Sequence, residues 1–125
     1  MDISTKDLAA AAVVYSHYRT DNNRATYIGP VHSDLSKDML VVQSVSPKRN
    51  GVSYGNRRSL ANLINSVSVL DTNGVSTTKD MKAEISVSIP AGVTLNDFKE
   101  RIARLNGILD DATLVENLFF TGKID

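Results

Sequence analysis

Between Met81 and Ile89 the side-chain character changes at almost every residue, and this alternation constrains the chain more than any other stretch. Ala83, Ile85, Val87 and Ile89 share one face of an extended strand, while Lys82, Glu84, Ser86 and Ser88 share the other. A period of two with one polar face predicts a sheet covered on one side only. Pro90 predicts the strand's end. Thr94, with Asp97 three residues on, forms an acidic variant of the capping box and predicts a helix start. Phe98, Ile102, Leu105 and Leu109 follow at spacings of four, three and four, which makes one apolar stripe. Asn106-Gly107 is suited to a helix C-terminus and predicts the stop there. A second short helix is expected from Asp110 or Asp111 through Leu114, Val115 and Leu118.

A chain of 125 residues fits one domain. An open sheet with two short helices leaves little with which to cover it. No apolar run approaches the roughly 20 residues needed to cross a bilayer, and Asp2 and Asp7 do not fit a basic secretory leader. Cysteine is absent, which excludes disulfides, zinc–cysteine sites and thiol nucleophiles. His17 and His32 have no second ligand at metal-binding spacing, so no metal is expected.

The net charge is zero, yet the charges are unevenly spread. Between Met39 and Leu70 stand four basic residues (Lys48, Arg49, Arg57, Arg58) and no acid. From Asp110 to Asp125 stand four acids (Asp110, Asp111, Glu116, Asp125) against Lys123 alone. A neutral total can thus hide a basic sheet face and an acidic helical end. A basic run of this kind suits nucleic acid, and equally suits plain solvation near two turns.

Residues Asp2 to Arg19 carry mixed signals. Four consecutive alanines favour helix, whereas Val13, Val14, Tyr15 and Tyr18 favour strand. Asp21-Asn22-Asn23 predicts a turn, with an extended segment resuming over Arg24 to Ile28. Met39 to Ser46 reads as a strand with Val41 and Val45 on one face and Ser44 and Ser46 on the other. Arg57 to Leu70 starts like a helix and ends in plain alternation. Read as strand, it sets Ala61, Leu63, Val67 and Val69 inward, with Asn65 the odd member, and Arg58, Asn62, Ser66 and Ser68 outward. Asn73-Gly74 predicts a tight hairpin turn. The polar faces of these strands share short hydroxyls and amides studded with Arg58, Lys82 and Lys48, a surface able to meet phosphates and base edges. An ordinary solvated sheet face has the same appearance. Carboxylates are scattered, His17 lacks a nucleophile partner, and Gly29, Gly51 and Gly55 form no phosphate-binding motif, so no enzyme, cofactor or small-molecule substrate is expected.

The order of elements resembles the coat protein of single-stranded RNA bacteriophages, a levivirus-like capsid protein. The resemblance is clearest from Thr78 to Asp125: the strand Lys82-Ala-Glu-Ile-Ser-Val-Ser-Ile-Pro90, the Asp97–Leu109 helix, then Leu114-Val115-Glu116-Asn117-Leu118. Val42 to Val45 followed by Asn56-Arg57-Arg58 is similar to the two strands that carry RNA contacts in that family. The resemblance implies an α+β fold with an N-terminal β-hairpin, an antiparallel sheet of about five strands and two C-terminal helices, all in one coat-protein domain in which 1–31 is the hairpin, 38–90 the sheet and 94–120 the helices. It also decides for strand over helix in Leu8–Arg19 and Arg57–Asn65.

The same resemblance implies an intertwined homodimer with a continuous sheet. Dimers then close into a quasi-equivalent icosahedral shell, the virion capsid, assembled in the bacterial host cytoplasm around genomic single-stranded RNA. An RNA stem-loop would bind the inward sheet face. Carried over residue by residue, Ser44, Asn56, Arg58, Asn62, Lys82, Glu84 and Ser86 are the implied RNA-facing positions. Lys82 stands where a relative has a stacking tyrosine, so a base-stacking partner must come from elsewhere. Ser46, Leu60 and Asn62 stand where relatives have further basic or threonine residues. The alternative is a small dimeric RNA- or DNA-binding regulator that forms no shell.

Overall fold

The computed structural model describes residues 1–123; Asp125, counted above among the C-terminal acids, lies outside the described residues. Six strands follow in chain order: β1 (Ile3–Lys6), β2 (Ala12–Asp21), β3 (Arg24–Ile28), β4 (Asp38–Val45), β5 (Asn56–Leu70) and β6 (Ser76–Pro90). Each pairs with its sequence neighbour, so the sheet is an antiparallel meander in the order β1-β2-β3-β4-β5-β6. Connections this short admit only antiparallel neighbours. Helix α1 (Leu95–Leu109) and helix α2 (Ala112–Val115) follow, and α2 continues as a π-helical turn over Glu116–Thr121. The α+β class and the element order agree with expectation, with six strands in place of about five.

The additional strand is β1. Of the alanines that favour helix, Ala12 opens β2 and the other three sit in the β1–β2 turn, where Asp7 Oδ1 accepts from the N–H groups of Ala9 (3.0 Å) and Ala11 (2.9 Å). Ala10 there takes a left-handed φ of +64°. A side chain that offers the backbone an alternative set of hydrogen bonds defeats helix propensity in this way. Asn22-Asn23 joins β2 to β3 as expected, with Asn22 at φ +53°, a conformation asparagine tolerates. Within β2 the register shifts between His17 and Arg19, a bulge.

Two other expectations need correction. Strand β6 begins at Ser76 rather than Met81, because Ser76-Thr77-Thr78-Lys79-Asp80 is polar on both faces and alternation has no contrast there. Asn73-Gly74 does make a tight hairpin turn between β5 and β6: Gly74 N–H donates to the Asp71 carbonyl oxygen (3.1 Å) and Asp71 N–H to that of Val75 (2.9 Å), while the Asp71 carboxylate accepts from Asn73 N–H (2.8 Å) and Val75 N–H (2.9 Å). Helix α1 does not stop at Asn106-Gly107 but runs through it to Leu109. Its start agrees with expectation, since Thr94 Oγ1 accepts from Asp97 N–H at 3.2 Å. The acidic pair then makes the break between helices. Asp110 is the C-cap of α1, and Asp111 Oδ1 accepts from the N–H groups of Thr113 and Leu114 to open α2.

The buried part of the sheet is small: Tyr15, Tyr27 and Val41, together with the carboxylate of Asp38, which is only 3 % exposed. Asp38 Oδ1 accepts from Tyr15 Oη (2.8 Å) and from Asn65 Nδ2 (2.9 Å), joining β2, β4 and β5. The odd inward asparagine of β5 is thereby explained. Gly29 packs so closely that a Cβ there would lie 2.2 Å from Asp38 Oδ2. His32 Nδ1 accepts from Asp38 N–H at 3.2 Å, so both Asp38 and His32 fasten the 29–37 connection to the sheet.

Tyr15→Phe is expected to lower the unfolding free energy by about 1.5–3 kcal/mol, the usual worth of a hydrogen bond to a charged group. Burial first, then the bond to Asp38 and its negative charge, push the Tyr15 phenol above its ordinary value. A group with a raised folded-state pKa contributes its full stability below its unfolded value and loses it as pH climbs. Urea denaturation should therefore show stability falling above about pH 10, the ordinary tyrosine range, and falling less steeply in Tyr15→Phe. Parallel pH curves for the two proteins would remove Tyr15 as the cause.

Candidate nucleic-acid interface

The frame of the site is the pairing of the two longest strands, β5 and β6. Asn56 Nδ2 donates to Ser88 Oγ at 3.0 Å near one end of the pair, and Ser68 and Ser76 join through their hydroxyls near the other. The turn sets the register: Asp71 N–H donates to the Val75 carbonyl oxygen at 2.9 Å, and the two strands run back from it over 56–70 and 76–90, so even-numbered residues of β5 and β6 lie on the same side. On the other side of β5 the partners are Val45 for Arg58, Gln43 for Leu60 and Val41 for Asn62. Directly opposed residues of antiparallel strands point the same way. Asn56, Arg58, Asn62, Lys82, Glu84 and Ser86 therefore share one face.

Ser44 is not with them. It pairs with Ser59, on the face that carries Ala61 and Leu63, and its hydroxyl takes bonds from Arg57 Nη1 (2.9 Å) and Ser59 Oγ (3.1 Å). Strand β4 thus gives Val41 and Val45 to the face shared with Arg58. Alternation within one strand tells which residues are companions; only the register between strands tells which side they occupy. The expectation that all the polar faces coincide holds for β5 and β6 and fails for β4.

Charge on this face is partly settled internally. Lys37 Nζ donates to Asp80 Oδ2 at 3.0 Å, Ser66 Oγ donates to Asp80 Oδ1 at 3.3 Å, and Lys37 N–H donates to Ser66 Oγ at 2.8 Å. The Lys37 hydrogen bond foremost, with its charge and lesser help from Ser66 and Lys82, holds the Asp80 carboxyl below the usual carboxylate range. Arg58 and Lys82 make no ion pair among the described residues, and both are exposed. Asn62 is different: its amide oxygen is enclosed and takes no hydrogen bond among the described residues.

The connection from β4 to β5, residues 46–55, extends the face. It borders an open cavity of about 530 Å³ lined by Val45, Ser46, Lys48, Asn50, Ser53, Gly55, Asn56 and Arg58. The turn closes tightly at its base, where Gly55 at φ +81° lies so close that a Cβ would stand 2.2 Å from the Lys48 carbonyl oxygen. Only glycine fits that position. At the same loop the Arg49 guanidinium lies over the Tyr54 ring, 5.7 Å from its centroid. Tyr54 is absent from the sequence-derived set; the acid-free basic window around it was the available signal. Free cations beside hydroxyls and amides can hold phosphates and read base edges, and nothing in the arrangement activates a nucleophile.

Lys37→Ala should leave global stability within about 0.5 kcal/mol, as for other exposed pairs. It should also raise the Asp80 titration midpoint toward the ordinary carboxylate value, read by carboxyl-carbon NMR. An unmoved midpoint would show that Lys37 does not set it.

No protein-family model and no curated protein sequence matches this chain. Solved structures do. A virus-like particle of Wenzhou levi-like virus 4 matches with TM-score 0.79 and 24 % identity, over 99 % of this chain and 88 % of that one. A virus-like particle of bacteriophage AVE019 gives TM-score 0.77 at 14 % identity, over 99 % and 96 %. A virus-like particle of Beihai levi-like virus 21 gives 0.73 at 23 %, over 99 % and 96 %. The chain has the fold of these particle subunits along nearly its whole length.

Proposed function

We propose that this chain is the structural coat protein of a levivirus-like particle: it dimerises, assembles into a closed icosahedral shell, and encloses single-stranded RNA against the face bearing Arg58, Asn62 and Lys82. The observation that carries the reading is the near-complete overlap, in both directions, with subunits of virus-like particles. A domain borrowed into another protein would more often match in part.

Two physical features support assembly. Strand β6 ends the sheet, and its 15 residues amount to an edge of about 50 Å at the usual rise per residue. An open edge of that length is a template for pairing, and a second β6 is the natural complement. The aliphatic face is also under-covered. Met81 and Ile85 are 56 % and 45 % exposed, and neither α1 nor α2 has a buried residue. Joining two copies edge to edge, with helices of each reaching the other, would bury that surface.

The polar face is then left for RNA. Asn56, Arg58, Asn62, Lys82, Glu84 and Ser86 form the candidate contact surface, with a stem-loop as the ligand and the virion as the site of action. Ser44, on the opposite face, is left out of this set. The role is structural, with no catalysis.

Purified from a heterologous host, the protein should appear in negative-stain microscopy as closed particles that absorb at 260 nm. Dimers alone under all conditions would overturn the shell and favour a small nucleic-acid-binding regulator. Replacing Arg58 and Lys82 together by alanine should weaken RNA binding and lower the slope of log K against log salt by about two, one for each lost phosphate contact. An unchanged slope would remove these residues from the interface.

A further inference from the structure

The loop 46–55 holds three features that the sheet face lacks: an aromatic ring, a cation already stacked on it, and a cavity lined by further cations. Tyr54 is 68 % exposed, and the Arg49 guanidinium covers it at 5.7 Å from the ring centroid. The neighbouring cavity is lined by Lys48 and Arg58 together with the amides of Asn50 and Asn56. Acids are absent from the whole of Met39 to Leu70, so no carboxylate of this segment competes for those cations. Arg57, the fourth basic residue, is turned away to Ser44 on the other face.

The turn is also prearranged. Asn50 and Ser53 exchange backbone hydrogen bonds of 2.9 and 3.0 Å across the loop tip. Ser53 Oγ accepts from Gly55 N–H at 3.1 Å, fixing the chain on either side of Tyr54. An exposed tyrosine of this kind costs little further entropy to use, since its backbone is already held.

We infer that this loop is a nucleotide subsite, in which one unpaired RNA base stacks on Tyr54, backed by Arg49, while the adjoining phosphate lies against Lys48 and Arg58 in the cavity. The inference rests on the proposal that this chain binds RNA and specifies where stacking occurs. Aromatic stacking is indifferent to base sequence, because every base has a π-face. The loop therefore supplies affinity for unpaired nucleotides in general, and discrimination among bases is left to the amides of the sheet. The Arg49 guanidinium adds a cation–π contribution on the ring's other side.

The test uses dimers dissociated from the particle and freed of host RNA, with a short fluorescein-labelled oligoadenylate followed by fluorescence anisotropy over a range of salt. Tyr54→Ala should weaken binding roughly tenfold, within the range for loss of one stacked base, with an unchanged salt slope because no phosphate contact is lost. Tyr54→Phe, which keeps the ring, should bind within about twofold of the parent, since stacking needs the π-face and not the hydroxyl. Lys48→Ala should weaken binding and lower the slope by about one. If Tyr54→Ala binds as the parent does while the Arg58 and Lys82 double variant is weakened, the subsite is overturned and the RNA-binding face stands. If the parent itself does not bind the oligonucleotide, the subsite is overturned, and the RNA-binding face falls as well only if the same dimers also fail to bind a stem-loop RNA.

Discussion

The register between β5 and β6 is the constraint on which the rest of the molecule depends. These strands are 15 residues each, and their pairing fixes which side every residue of both occupies. The Asp71–Val75 backbone bond sets that register at the turn, and Ser66–Asp80, Ser68–Ser76 and Asn56–Ser88 are polar side-chain contacts along the pair. A slip by one residue would carry Ala83, Ile85 and Val87 to the side of Arg58, and Lys82 and Glu84 to the side of Leu63. Both the continuous apolar surface and the continuous polar surface of this strand pair would then be lost. Small cross-strand hydroxyl and amide pairs reinforce the register because they are satisfied only when aligned.

The opposite end of the sheet is organised by a polar hub instead of a large apolar core. Asp38 gathers Tyr15 and Asn65 onto one carboxylate oxygen and has Gly29 pressed against the other. A buried carboxylate with its bonds made fixes geometry well and contributes little net energy, while losing a partner is costly. With only Tyr15, Tyr27 and Val41 as buried hydrophobics, a single copy gains little from apolar burial. A chain built this way is expected to draw much of its stability from association.

Much of this was legible in the residues. The alternation over Met81–Ile89, the Thr94 cap and the Asn22-Asn23 turn each express a local rule that tertiary structure did not overturn. The misread places share a physical cause: the deciding partner lies elsewhere in the chain or in the backbone. Nothing in a run of alanines announces that Asp7 will bind two of their N–H groups. Polar residues on both faces hide the first third of β6 from any search for period two. Gly107 signals a helix end locally, yet the cap at Asp110 and the restart at Asp111 decide where the break falls. Ser44 falls on the side opposite Arg58 because companionship within a strand is periodic, whereas the side a strand's residues occupy is set by the neighbouring strand. The stacked Arg49 and Tyr54 sit in a loop, where no periodicity exists to reveal them.

The proposed function follows from the different chemistry of these two faces. An aliphatic face, an open β6 edge and an apolar helical stripe call for another copy of the chain. A face with free Arg58 and Lys82, an Asp80 already neutralised by Lys37, and a basic loop beside it calls for a polyanion. The most direct measurement is a cryo-electron microscopy map of the assembled particle. The account predicts paired sheets with β6 edges joined and the Arg58, Asn62 and Lys82 face turned to the lumen against nucleic-acid density. A particle with that face on its outer surface, or buried between copies, would contradict it.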